Sequence, residues 1–98
     1  MAKLFIEEGS RTPWGPAQHV AYPQEGIFIV STAGHGGVKL DRKRNSLVPK
    51  AARAKGGWYE EDCQASIPAC VFKLGDPVAQ RESIRYYQTP EVIEALGC

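Results

Sequence analysis

The side chains best suited to chemistry fall in two short stretches of this sequence. His35 stands between glycines in "STAGHGG" (31–37), and Glu60, Glu61, Asp62 and Cys63 follow one another in "GWYEEDC" (57–63). A histidine beside a thiol can take its proton and leave a thiolate, the stronger nucleophile. A histidine beside carboxylates is oriented by them and responds to mild acid. The enzymatic alternative for this chain therefore rests on His35 with Cys63, Glu60 or Glu61. The plainer alternative has His35 on a turn, the acids at a solvated helix start and Cys63 as a small core residue.

A nucleotide loop is a poor fit to the same glycines. A phosphate cradle needs a strand, then glycines, then a helix whose first N–H groups face the anion. Here the glycines run into "VKLD" (38–41), which alternates like a strand, and neither GxGxxG nor a GK[ST] ending is present. No motif calls for a cofactor. There is no CxxC or HxxxH pair, so no metal site is predicted; a zinc site would have to gather ligands from distant segments.

A second set of candidates is electrostatic. Lys39, Arg42, Lys43, Arg44, Lys50, Arg53 and Lys55 lie within 39–55 against one acid, Asp41, and Glu60, Glu61 and Asp62 follow. Cations in such a run can hold phosphates while Trp58 and Tyr59 stack on bases. They can equally pair with the acids that follow. The whole chain carries a net charge of only +1, whereas dedicated nucleic-acid binders usually carry a clear positive excess. A third set is aromatic: Trp14 and the Tyr86-Tyr87 pair are of the types enriched at protein interfaces, or serve as core.

These residues need elements to position them. "KLFIEE" (3–8) suggests a short first strand, and "GSRTPWGP" (9–16) reads as turn, with Trp14 plugging the core edge. Residues 18–22 suggest a strand stopped by Pro23. "GIFIVST" (26–32) is the clearest strand, apolar enough for burial on both faces. With "VKLD" it predicts a hairpin whose tip is "AGHG". Beyond residue 44 the signals turn helical: a basic helix over 49–55 ended by Gly56-Gly57, then one from Trp58 toward Phe72 that Pro68 would bend or interrupt. Asp76-Pro77 starts a helix through Tyr87 with Val78, Ile84 and Tyr87 inward. Thr89-Pro90 starts another that ends at Gly97. The fold class is α+β: a small antiparallel sheet with a central hairpin in the N-terminal half, packed by two to four short helices from the C-terminal half.

The 98 residues are read as a single domain, 1–98. At 43% apolar and 23% charged the composition is that of a globular protein. No apolar run nears the ~20 residues that span a bilayer, and the start turns acidic too soon for a secretory signal. Three cysteines form no dense framework. These features predict a cytoplasmic protein with no membrane partner.

Three segments together carry a resemblance: "TPWGPAQHV" (12–20), "STAGHGGVKL" (31–40) and "GGWYEEDC" (56–63). They resemble an uncharacterised domain family of bacterial phage, prophage and plasmid proteins. Its members carry Trp-Gly, then Ser-Thr-x-x-His-Gly-Gly, then Gly-Trp-Tyr-Glu-Glu-Asp. The likeness spans residues 12 to about 72. Ala33-Gly34 stands where that family has Pro-Ser, and Pro68 interrupts what would be a smooth helix. The resemblance implies Trp14, Gly15, His35, Gly36, Gly37, Trp58, Tyr59, Glu60, Glu61 and Asp62 as motif positions, and it supplies no activity.

Size and resemblance together suggest an accessory protein of a phage or mobile element that binds a host protein, with inhibition of host defence, in anti-CRISPR or antirestriction style, as the expected class. The binding candidates are Trp14, His35, Arg42, Lys43, Arg44, Trp58, Tyr59, Glu60, Glu61 and Asp62. The alternatives are the small enzyme and a nucleic-acid-binding module using 39–55. The tip itself is expected to pack against the start of the GWYEED helix, with His35 against the carboxylates.

Overall fold

The computed structural model describes residues 4–98. Most strands precede most helices, as the α+β expectation requires, with one short α-helix standing before the last strand. A small two-stranded ribbon comes first, β1 (Arg11–Thr12) with β2 (Gly15–Pro16). The main sheet has four antiparallel strands in the order β3 (His19–Gln24), β4 (Ile27–Ser31), β5 (Gly36–Leu40), β6 (Trp58–Glu60). The helices are α1 (Arg42–Ser46), α2 (Ser66–Val71), α3 (Pro77–Tyr87) and α4 (Pro90–Leu96).

The predicted hairpin is β4–β5, paired from Ile27↔Leu40 to Ser31↔Gly36. Alternation along β4 sends its side chains to two different cores. Ile27 joins Val38, Leu40, Val48, Ala52, Tyr59 and Ile67 under the helices. Phe28 and Val30 join Ile6 and Ala17 beneath the N-terminal segment. The strand is thus covered on both sides, except at Ile29 and Ser31, which are exposed.

Several expected elements are placed differently. Residues 4–8 form no strand; Lys3 lies outside the described residues. Pro23 does not stop β3, because that strand is an edge, and the register shifts between Ala21 and Gln24 where the proline sits. The turn segment 9–16 contains the small ribbon, closed by Thr12 Oγ1 donating to Gly15 O at 2.7 Å. The basic helix lies at Arg42–Ser46, earlier than 49–55. Asp41 accepts from Arg44 N at 2.7 Å and caps it, while 50–52 make only a 3-10 turn.

The largest change concerns "GWYEED". Trp58 to Glu60 are a strand, not a helix start. Gly56 and Gly57 both hold positive φ (86° and 78°), which turns the chain, and the aromatic residues then complete the sheet by pairing Val38↔Tyr59 and Lys39↔Trp58. The helix is postponed to Ser66, and Pro68 falls in its first turn, where a missing N–H costs nothing. The last two helices start and stop as predicted: Asp76 accepts from Val78 N, Thr89 accepts from Val92 N, and Gly97 ends α4 with φ 67°. Of the inward positions expected on α3, Ile84 is buried, whereas Val78 and Tyr87 are exposed. Cys70, at the end of α2, is bridged to Cys98 beyond α4, with a Cα separation of 6.4 Å. Cys63 is a free thiol. Among the described residues, no helix is long and apolar enough to cross a membrane.

Candidate functional site

The hairpin tip and the end of β6 meet at one corner of the sheet. The tip is rigid by its own hydrogen bonds. Thr32 donates from its backbone N (2.7 Å) and from Oγ1 (2.8 Å) to His35 O, and His35 N donates back to Thr32 Oγ1 at 3.2 Å. The next residue, Gly36, accepts from Glu61 N at 2.9 Å, so β6 is tied to the tip just past its last strand residue. Gln64 N and Ala65 N then both donate to Glu60 O (2.9 and 2.8 Å), folding the chain back and leaving Glu61 and Asp62 exposed.

The two glycines of the tip are required by what approaches them. A Cβ on Gly36 would stand 2.6 Å from Val30 O and 3.0 Å from Glu61 Oε2. One on Gly37 would collide with Tyr59 O and lie 2.5 Å from the Trp14 ring. Trp14 meets Trp58 edge to face, with ring centroids 5.5 Å apart, a favoured aromatic geometry. The Trp-Gly, His-Gly-Gly and Trp-Tyr-Glu-Glu-Asp segments thus converge although 21 or more positions separate their central residues.

At this corner His35, Glu61 and Asp62 each offer one ligating atom, and the three atoms lie within 4.8 Å of one another. All three side chains are exposed. Glu60 and Cys63 are not members of this group; the Cys63 carbonyl instead accepts from Gln88 Nε2. The expected meeting of the tip with carboxylates is present, on a strand end rather than a helix start.

Tyr59 sits elsewhere from its expected surface role. It is completely buried, and its hydroxyl donates to Asn45 Oδ1 and accepts from Ala54 N at 3.0 Å. Burial, the dominant cause, raises its pKa above the ordinary 10.0, against opposing effects of the Ala54 hydrogen bond and Arg53. It pins the loop between β5 and β6, and it has no face with which to stack on a base.

Three cations of the basic run are engaged within the fold. Lys39 Nζ donates to Gly56 O and lies 5.0 Å from the Trp58 ring centre. Burial lowers the Lys39 pKa, with Asp41 opposing. Arg44 Nε donates to Glu25 O at 2.8 Å, and its guanidinium lies 5.0 Å from the Phe72 ring. Arg53 donates to Val48 O through Nε (3.0 Å) and through one terminal nitrogen (2.9 Å), which also reaches Ser46 O. The partners of these cations are backbone carbonyls of the segment between β5 and β6 and, for Arg44, of Glu25 in the β3–β4 turn, rather than Glu60, Glu61 or Asp62. Arg42, Lys43, Lys50 and Lys55 remain exposed.

Two aromatic features lie away from this corner, the Tyr86-Tyr87 pair foreseen in the sequence and a hollow at the β3 edge that was not. Tyr86 is 81% and Tyr87 49% exposed on α3, their rings edge to face at 4.7 Å. At the β3 edge, Tyr22 stacks on Phe28 at 4.8 Å beside a shallow hollow of about 400 Å³ that Leu4, Phe5 and Val20 also line.

Residues 7–93 match the family model described as Domain of unknown function (DUF7007). The chain belongs to that family, which covers both the sheet and the helices. It has no match among curated proteins or among solved structures.

Proposed function

We propose that this domain acts by binding another protein, as an accessory factor of a phage or mobile element working in the bacterial cytoplasm on a host protein. A component of host defence, inhibited in anti-CRISPR or antirestriction style, is the class of target. The observation that carries the binding reading is the Tyr86-Tyr87 pair. Two tyrosines left in solvent on one helix expose amphipathic rings of the kind that anchor interfaces. The alternatives have less support. Cys63 does not share the His35 group, and three of the seven cations of 39–55 are engaged by backbone carbonyls, two of them within the loop and one at Glu25.

The test compares the chain with a Tyr86→Ala/Tyr87→Ala variant. Both are used as bait in the bacterial host, and captured proteins are identified by mass spectrometry. One abundant host protein, retained at high salt by the parent chain and reduced at least about tenfold by the variant, is the expected result. A partner held equally by both chains, or none held by either, contradicts the reading.

A further inference from the structure

We propose that His35, Glu61 and Asp62 form an open binding site for a divalent transition metal of the zinc type. The donor set is one imidazole and two carboxylates, with the ligating atoms within 4.8 Å of one another. Zinc accepts this mixture and sits roughly 2 Å from each donor. The side chains are exposed, so rotamer changes alone can close the remaining distance. The imidazole favours zinc over magnesium, which prefers an all-oxygen octahedral shell.

The backbone beneath these donors is fixed before any ion arrives. The Thr32 lock sets the tip, and the Glu61 N to Gly36 O bond sets the opposing turn. Gly36 is a cradle that a Cβ would fill, since Glu61 Oε2 occupies the space 3.0 Å from where that atom would stand. An independent feature adjoins Glu61 alone among the three donors. Glu61 also lines a hollow of about 280 Å³ with Ala65, Ser66 and Ala69. Ser66 is buried, and its Oγ is the one buried side-chain polar atom among the described residues that has no hydrogen-bond partner. Buried hydroxyls are normally satisfied, so this orphan leaves a place for a further polar group in the hollow that Glu61 borders. Three protein ligands leave at least one zinc position open, the arrangement of sites that take a solvent or an exogenous donor.

The experiment is calorimetric titration of the full, untagged chain with zinc chloride. Saturable one-to-one binding is expected. His35→Gln, Glu61→Gln and Asp62→Asn should each weaken it at least about tenfold, the usual size of a lost ligand's effect or more. Circular dichroism checks that each variant is folded; the three side chains are exposed, so none should unfold the domain. His19 and the free Cys63 are the competing soft donors, and His19→Ala and Cys63→Ser should leave binding unchanged. Absence of one-to-one binding overturns the proposal. So does binding that survives His35→Gln, binding lost in His19→Ala or Cys63→Ser, or magnesium binding as tight as zinc.

Discussion

The corner formed by the tip and β6 and the helical half are built on opposite principles. At the corner, residues distant in sequence touch through positions that have no side chain: Gly36 and Gly37 admit Glu61, Tyr59 and Trp14. In the helical half, α3 and α4 are set by their own neighbours: Asp76-Pro77, Thr89-Pro90 and Gly97. The corner is close-packed at its glycines, where Trp14 and the Tyr59 carbonyl approach Gly37. The helical half is uneven: α2 buries Ser66, Ile67, Pro68 and Ala69, whereas α3 buries only Ile84 fully and α4 buries no residue completely. The Cys70–Cys98 bridge supplies a covalent tie where apolar burial is thin. A close-packed corner should therefore be sensitive to added volume, and the helical half to loss of its tether.

Gly37→Val is the most severe way to break the comparison. Its side chain would collide with the Tyr59 carbonyl and the Trp14 ring, neither of which can retreat without opening β5–β6. A loss of about 3 kcal/mol or more is expected in chemical denaturation, at the upper end of overpacking costs. An equivalent loss from Gly34→Val, at a tip position with nothing within 4 Å, would remove the distinction.

Cys98→Ser should cost less, about 2–3 kcal/mol, by releasing a loop closed across 28 positions. Hydrogen exchange should rise in α4 and leave β4 and β5 protected. Equal acceleration in the sheet would mean that the two regions are not separable.

Tyr59→Phe should cost about 1–2 kcal/mol, because Asn45 Oδ1 and Ala54 N lose their shared partner. Its pH dependence sharpens the assignment. The folded-state pKa of Tyr59 lies above its ordinary 10.0, so the folded chain holds the phenolic proton more tightly than the unfolded chain. That stabilisation is complete below about pH 10 and is lost as pH rises from there through the folded value. Alkaline melting of the parent chain should carry this loss and that of Tyr59→Phe should not; identical profiles would contradict the burial assigned to it.

What was legible in the sequence follows the same division. Caps, prolines and glycines act locally, so both C-terminal helices and the β4–β5 hairpin could be read directly. The start of β6 could not. Acids after two aromatics resemble a helix N-terminus, and only the free edge of β5, paired through Val38↔Tyr59, makes them a strand. Asp41 was read as the end of "VKLD", which hid its role as the cap of α1. Tyr59 looked like a surface aromatic because its partner, Asn45, lies across the loop. The proposed metal site escaped spacing rules because its donors come from two segments. The clue available was His-Gly-Gly itself, since adjacent glycines mark a place where another part of the chain comes close.

The most direct measurement is a two-dimensional ¹H–¹⁵N spectrum of the chain recorded as zinc is added. The convergence of tip and turn predicts that amide shifts appear together in two separate stretches, 32–37 and 60–63, and reach saturation at one equivalent. Shifts confined to one stretch, or centred on His19, would contradict it.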